Sequence, residues 1–328
     1  MSTVQTNRIQ HSTGTGNNII LNAEGDTQVN SLNGGALSGL RNQLINGDFR
    51  VAQRGDDFFS SAPAPTDDPY TLDRWCVSSI IAAQPTRLAR QNNDSPPGFA
   101  WSVALYANGS PAGASRQSLI QAIELQRPGN NNQFAVGSTW TLSFWIKSGA
   151  NSTVGVSTGF RPSAQTAGPT PEEFSDTVNT TTSWVKLSHT FTIANTADAS
   201  DQCFAVIFYN AVAANTAILL SGVQLEPGPV ATPFEYRPMG LELALCQRYY
   251  VKDETVYVLS IPSSTTNARY TTLVFPQTMR SSPEVSFTLD GGVDSGAVAT
   301  VNGYRVGTVV GNTTTQVSLS GYTANAEL

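Results

Sequence analysis

The sequence predicts an all-β protein: a jelly-roll β-sandwich, then a smaller, mostly β unit with one short helix, behind an extended N-terminal segment. Three observations predict it. Apolar and polar residues alternate in many short runs, the two-residue period of a half-buried strand. Loops rich in Gly, Pro and Asn separate these runs, as turns punctuate β-structure. Charged residues make up only 13% of the chain, against about 25% in an average soluble domain; Gly, Ser, Thr and Asn take their place. The 328 residues exceed the roughly 100–200 that one core organises, so more than one unit is expected.

Residues 1–41 hold few large apolar groups (Ile9, Ile19, Ile20, Leu21, Val29, Leu32, Leu37 and Leu40), divided by Gly, Asn, Ser and Thr. A segment of about 40 residues seldom holds a core alone. It is expected to anchor the chain, ordered by identical copies of itself or by a larger assembly. Residues 33–39 (NGGALSG) read as a hinge, because paired glycines open the backbone to many geometries.

Residues 42–237 read as strand after strand. In 140–147 (WTLSFWIK), Trp140, Leu142, Phe144 and Ile146 fall on one face, with Thr141, Ser143, Trp145 and Lys147 on the other. In 184–193 (WVKLSHTFTI), Val185, Leu187, His189, Phe191 and Ile193 share the core-facing side, while Trp184, Lys186, Ser188 and Thr190 point away. Further strands are expected at 99–106, 118–125, 202–209 and 217–225. Pro-rich stretches at 62–69, 94–98 and 167–171 are read as surface loops, since Pro cannot donate to a ladder. This pattern over nearly 200 residues is that of a sandwich or jelly roll.

Composition changes at Pro238. Residues 239–250 (MGLELALCQRYY) form the one convincing helix, with Leu241, Ala244 and Leu245 on one face and Leu243, Cys246 and Tyr250 on another. A single sheet covers only one face of such a helix, so Leu241, Leu245 and Tyr250 are candidate contacts with a neighbouring subunit. Short strands are expected at 255–261, 270–275, 284–289, 298–301, 304–310 and 316–322, giving the unit 238–328.

The net charge of -6 gives no grip on a phosphate backbone, and no basic run appears, so nucleic acid is not an expected partner. No apolar run reaches the roughly 20 residues that span a bilayer, and the N-terminus lacks the apolar segment of a signal peptide. The chain is expected to be made in the cytoplasm. Cys76, Cys203 and Cys246 lie far apart with no CxxC spacing and read as buried small hydrophobes.

The motifs HExxH, the P-loop and GxGxxG do not occur. Of the two histidines, His11 lies in the N-terminal segment and His189 on a core-facing side. The acidic doublets Asp56–Asp57, Asp67–Asp68 and Glu172–Glu173 do not place two carboxyls across one glycosidic bond, because neighbours on a strand point to opposite faces. The expectation is a protein that is not an enzyme. Trp145 and Trp184, on the outward sides of their strands, are the candidate glycan contacts, since an indole face suits the C–H face of a sugar; coverage by a loop or a neighbouring chain is the other reading. A calcium ion needs six or more oxygens, for which Asp48 and Glu226 are the candidates; no other cofactor is expected.

The segments LINGDFRVAQRG (44–55) and YTLDRW (70–75) resemble the opening of jelly-roll modules in bacteriophage tail-fibre and other virion structural proteins. WTLSFWIKSG (140–149) and LSGVQLEPGPVATPFEYRP (220–238) resemble the middle and closing strands of that module, which is similar to carbohydrate-binding modules of the family 4/9 type. ELALCQRYY (242–250), FPQTMRSSPEV (275–285) and YTANAEL (322–328) resemble the C-terminal unit that follows it. The resemblance runs from about residue 42 to 328. It implies a component of the virion surface, in the tail or on the capsid, forming a homotrimer, attached to other virion proteins through its N-terminal segment and adhering to host surface polysaccharide. A head-fibre, decoration or baseplate protein making only protein contacts is the alternative, and a capsule-degrading tailspike a further one. One position departs from the pattern: the acidic residue that carbohydrate-binding modules commonly carry after NGxF is Arg50 here.

Overall fold

The structure is a computed structural model, and it describes residues 8–9, 19–21, 27–29, 40–59, 69–79, 86–107, 117–125, 133–149, 152–162, 172–210, 217–260, 269–290, 293–294, 298–309 and 316–327. His11, Asp67, Asp68, the hinge at 33–39 and the loops at 62–68 and 167–171 lie outside the described residues. Near the N-terminus three short strands, β1 (Arg8–Ile9), β2 (Ile19–Leu21) and β3 (Thr27–Val29), pair antiparallel in that order.

A two-sheet β-sandwich follows. Its strands are β4 (Asp57–Phe58), β5 (Trp75–Ser79), β6 (Thr86–Gln91), β7 (Ser102–Ala107), β8 (Gln117–Glu124), β9 (Thr139–Ser148), β10 (Ser152–Arg161), β11 (Glu172–Thr180), β12 (Val185–Thr192), β13 (Cys203–Asn210) and β14 (Ala217–Pro227). One sheet has the order β12-β9-β14-β7-β6-β4, the other β11-β10-β13-β8-β5. The core lies between their inner faces. Trp140, Leu142, Phe144 and Ile146 of β9 are buried there, as the alternation requires, against Phe160, Phe204 and Phe208 of the facing sheet. Phe134 stacks on Phe204 with ring centroids 4.2 Å apart. Each such side chain contributes about 1.5–3 kcal/mol by leaving water. Val185, assigned to the inner side by its pattern, is exposed, because β12 is an edge strand. His189 does face inward, stacked 6.0 Å from Phe144 and 5.0 Å from Phe174.

The C-terminal unit begins with α1 (Met239–Gln247), followed by β15 (Tyr250–Ser260), β16 (Arg269–Val274), β17 (Glu284–Asp290), β18 (Val293–Asp294), β19 (Val298–Thr300), β20 (Gly303–Val309) and β21 (Gln316–Asn325). Two small sheets, β15-β21-β17 and β16-β20-β18 with β19 also on β20, enclose Val251, Phe275, Met279, Tyr304, Leu319 and Tyr322. The helix is shorter than its periodicity suggested, and Tyr250 already opens a strand. Its buried residues are Glu242 and Cys246, so the covered side is led by a carboxylate and not by an apolar stripe. Leu241 is exposed and Leu245 half-buried, whereas Tyr250 is buried beneath the Arg54 guanidinium, 3.5 Å from its ring.

The segments 44–49 and 70–75 form the knot that ties these parts together. Asn46, at φ +58°, accepts a bond from Val51 N (2.9 Å) and donates to Val51 O (2.9 Å) and Asp73 O (3.1 Å). Its own carbonyl accepts from the Trp75 indole at 3.0 Å, and its amide donates to Glu242 of α1. At Gly47 any Cβ would run into the carbonyl oxygen of Val223, which explains the glycine. Phe49 and Arg74 also sit at positive φ, +57° and +71°, a region that non-glycine residues enter at a cost of about 1 kcal/mol or more. Arg74 is buried; its guanidinium lies 3.5 Å from the Tyr249 ring, donates to Ala122 O and pairs with Glu327. Burial alone would lower its pKa, but the Glu327 carboxylate together with Tyr249, Tyr70 and Cys246 outweighs that and holds the guanidinium charged. Glu327 takes a second arginine, Arg54, at 3.3 Å. Arg280 holds the adjoining carbonyls of Ala326 and Glu327, each at 2.9 Å.

Candidate functional site

The outer face of the six-stranded sheet carries the predicted contacts. Alternation places Thr141, Ser143, Trp145 and Lys147 of β9 there, and register sets Trp145 between Lys186 of β12 and Ser221 of β14, and Lys147 beside Leu219. Much of this face is sealed by two segments of the chain itself. The first, residues 228–237, lies across its lower part. Thr141 Oγ1 donates to Gly228 O (2.7 Å) and Thr190 Oγ1 to Pro229 O (3.1 Å). Gln224 donates to Thr232 and accepts from Glu235 N at 2.8 Å. The second, residues 92–101, crosses above it. Ser221 Oγ donates to Trp101 O (2.7 Å), Ser102 Oγ to Asp94 O (2.6 Å), and the Phe99 ring occupies the space above Gly222. Phe99, Phe234 and Tyr236 join the two segments, with ring centroids 5.0–5.5 Å apart. As a result Thr141, Ser143, Ser221, Gln224 and Glu226 are buried although they face away from the core.

Besides Ser188 and Thr190 on the edge strand β12, which are exposed, a strip at the upper end stays accessible. Half-buried Trp145 and Lys147, half-buried Trp184 and exposed Lys186 line it. Asp94 bridges two of them: its carboxylate accepts from Lys147 Nζ at 2.6 Å and from the Trp184 indole N–H at 2.9 Å. Burial pushes this carboxyl up, but the bonds from Lys147 and Trp184 outweigh it and hold Asp94 below the usual carboxylate range. The strip continues across β7 and β6, where the Arg87 guanidinium lies 5.0 Å from the Tyr106 ring and is fixed by Asp57 at 2.7 and 2.9 Å. It can offer indole and phenol faces together with fixed cations and a carboxylate.

The two tryptophans therefore lie at the same end of one face, and the indole N–H of Trp184 is engaged within the protein. The sequence reading missed Asp94. It stands in a Pro-rich stretch read only as a surface loop, and no local pattern pairs it with a strand 53 residues away. The metal candidates have different partners. Asp48 pairs with Arg50 at 2.8 Å. Glu226 accepts from Thr232 N (2.9 Å), Thr232 Oγ1 (2.6 Å) and Gln224 Nε2 (2.8 Å). Among the described residues no group of three or more His, Cys, Asp or Glu is placed to hold a metal ion. Of the acidic doublets, Asp56 pairs with Arg90 at 2.6 Å, Asp57 with Arg87, and Glu173 accepts from the amides of Ala194 and Asn195. All three cysteines are buried and none is in a disulfide; burial pushes the Cys203 thiol up to about 12. No helix among the described residues is long and apolar enough to cross a membrane.

No protein-family model matches this chain, and no curated protein does. Among solved structures it is similar to the enzymatically active domain of tailspike protein 4 of bacteriophage CBA120, at 15% identity and a TM-score of 0.37, over 58% of this chain and 22% of that one. It thus spans less than a quarter of that tailspike chain. It is also similar to a family 4 carbohydrate-binding module, at 18% identity and a TM-score of 0.32, over 56% of this chain and 97% of the module. A third is a family 61 module in complex with β-1,4-galactotriose, at 17% identity and a TM-score of 0.33, over 57% and 99%. The chain is an all-β protein built around a two-sheet antiparallel sandwich. Its own antiparallel ladders establish that architecture.

Proposed function

We propose that the chain is a non-enzymatic structural component of a bacteriophage virion, a tail fibre or tail-tip protein that adheres to host surface glycan. The observation that carries the reading is the accessible strip of Trp145, Lys147, Trp184 and Lys186, anchored by Asp94, at the end of a face that two segments of the chain largely seal. An aromatic face beside fixed charges suits a sugar, whose C–H groups stack and whose hydroxyls accept and donate. Several copies per virion would raise a weak single-site affinity by avidity. The segments resembling virion modules support the setting, and the internal pairing of Asp56, Asp57 and Glu173 supports adhesion over hydrolysis.

The test is a titration of the purified protein with host lipopolysaccharide or capsular polysaccharide, followed by tryptophan fluorescence and by retention on whole cells. Trp145→Ala is expected to weaken binding about tenfold, the loss of roughly 1.4 kcal/mol. Wild-type protein that ignores host cells and both polysaccharides refutes the reading, as does release of reducing sugar ends from them.

One observation favours a second reading, in which the sandwich makes only protein contacts as a head-fibre, decoration or baseplate part. The chain's own segments 92–101 and 228–237 fill most of the face on which a long sugar chain would lie. Labelling the protein's position on intact virions separates the two.

A further inference from the structure

We infer that the C-terminal unit carries a glycan site of its own, a groove across the middle of the β15-β21-β17 sheet that takes an uncharged oligosaccharide. The inference goes beyond the adhesion reading, because the site stands on another unit and needs none of the tryptophan strip. A depression of about 510 Å³ opens to solvent there, lined by residues 252–254 of β15, 286–287 of β17 and 321–323 of β21. Irregularities in the strands build it. The register of β15 on β21 shifts between Asp253 and Val256, and that of β17 on β21 between Phe287 and Leu289. Such bulges re-aim side chains out of the regular pleat and recur beside binding sites. Gly321 sits between the two shifts at φ +69°, where a Cβ would lie 2.6 Å from the Asp253 carbonyl oxygen, so β21 brings no side chain to this position. A second depression of about 470 Å³, lined by Ala52, Gln53 and Gly55 of the sandwich, shares residues 252–254 as its wall. The two form one open course from the C-terminal sheet onto the sandwich. A small ligand requires a concave pocket that buries most of its surface; a chain lying along the course does not.

The lining selects the class of ligand. Strand β21 is paired on both sides, so the centre of the groove has no free edge on which a peptide strand could add. Recognition falls to side chains. Lys252 Nζ pairs with Glu254 at 2.7 Å, Asp253 accepts from Thr255 N at 2.8 Å, and Gln53 is fixed by donation to Tyr250 O at 2.9 Å. The hydroxyls of Ser286 and Thr323 stand opposite on β17 and β21. Half-buried Phe287 is held 5.8 Å from the Tyr304 ring and gives apolar surface for sugar C–H groups. Asp253 and Glu254 outnumber Lys252 in charge, so a polyanion is repelled, whereas neutral sugar hydroxyls donate to the carboxylates and accept from the amine.

The experiment measures retention of the full chain on an array of neutral hexose and N-acetylhexosamine oligosaccharides, with uronic-acid oligomers beside them. Trp145→Ala is the background, so that the strip contributes little. This variant is expected to retain neutral members and to ignore the acidic ones. Adding Ser286→Tyr, which puts bulk into the groove from an exposed position on an edge strand, should cut retention at least about tenfold, and adding Glu254→Ala about threefold. Retention that survives Trp145→Ala and is lost with Ser286→Tyr supports the groove whether or not the strip binds. Retention that Trp145→Ala abolishes overturns this inference and leaves the adhesion reading standing. Equal retention with and without Ser286→Tyr, retention of acidic members alone, or no retention at all also overturns it.

Discussion

Replacing Asn46 by Ala removes the centre of the knot. Three buried hydrogen bonds, to Val51 N, Val51 O and Asp73 O, each contribute about 1 kcal/mol net. Alanine at φ +58° adds about 1 kcal/mol of backbone strain that Asn tolerates better. The sum is about 4 kcal/mol, rising toward about 6 if the stranded backbone groups stay dry. That is a large share of the roughly 5–15 kcal/mol that stabilises a domain. Asn46→Gly loses the same bonds without the strain and should be about 1 kcal/mol less damaging. Urea unfolding followed by tryptophan emission is the assay, because Trp75 is buried and its indole donates to the Asn46 carbonyl. If Asn46→Ala unfolds within about 1 kcal/mol of wild type, the knot does not hold the sandwich in the way described.

Glu327→Ala strands buried Arg74 without its carboxylate, and breaking such a pair costs about 3–5 kcal/mol; calorimetry should show a lower melting transition, and an unchanged one would contradict the clasp. Burial holds the His189 imidazole below its ordinary 6.5, although Asp176 favours the charged form. The unfolded chain therefore binds the proton first, so stability is full above about pH 6.5 and falls as pH drops through the lowered folded value. Asp73, pushed up by burial, acts with opposite sign in acid. The difference between wild type and His189→Gln isolates the histidine, and equal pH slopes for the two would refute its role. Asp94→Ala frees Lys147 and the Trp184 indole and should speed hydrogen exchange across residues 92–101 while sparing β9; uniform protection would show that Asp94 does not pin that segment.

The alternation in β9 and β12 was legible because one face must be dry, and Trp140, Leu142, Phe144 and Ile146 pack as their spacing requires. Strands β5, β6, β10 and β11 were not anticipated. In β11 (EEFSDTVNT) most residues are exposed, so its pattern has little apolar signal, and in β10 Gly and Ser occupy the positions between Val154, Val156 and Phe160. Sealing of the outer face was hidden for a related reason. Thr141, Ser143, Gln224 and Glu226 look like solvent-facing residues, yet a segment more than eighty residues from Thr141 supplies their coverage. Trp145 and Trp184 could be placed on that face from sequence, whereas Asp94, which organises the strip, enters only through the fold.

The clasp around Glu327 also has a mechanical meaning. Residues 325–327 run beside Tyr249 and Tyr250 and close on Arg54 and Arg74 of the sandwich. A pull on the distal sheets is therefore not carried by the single covalent strand at Pro238 alone. Ladder bonds share it with two ion pairs set across the seam, so a load on the C-terminal sheets reaches the sandwich through several contacts at once.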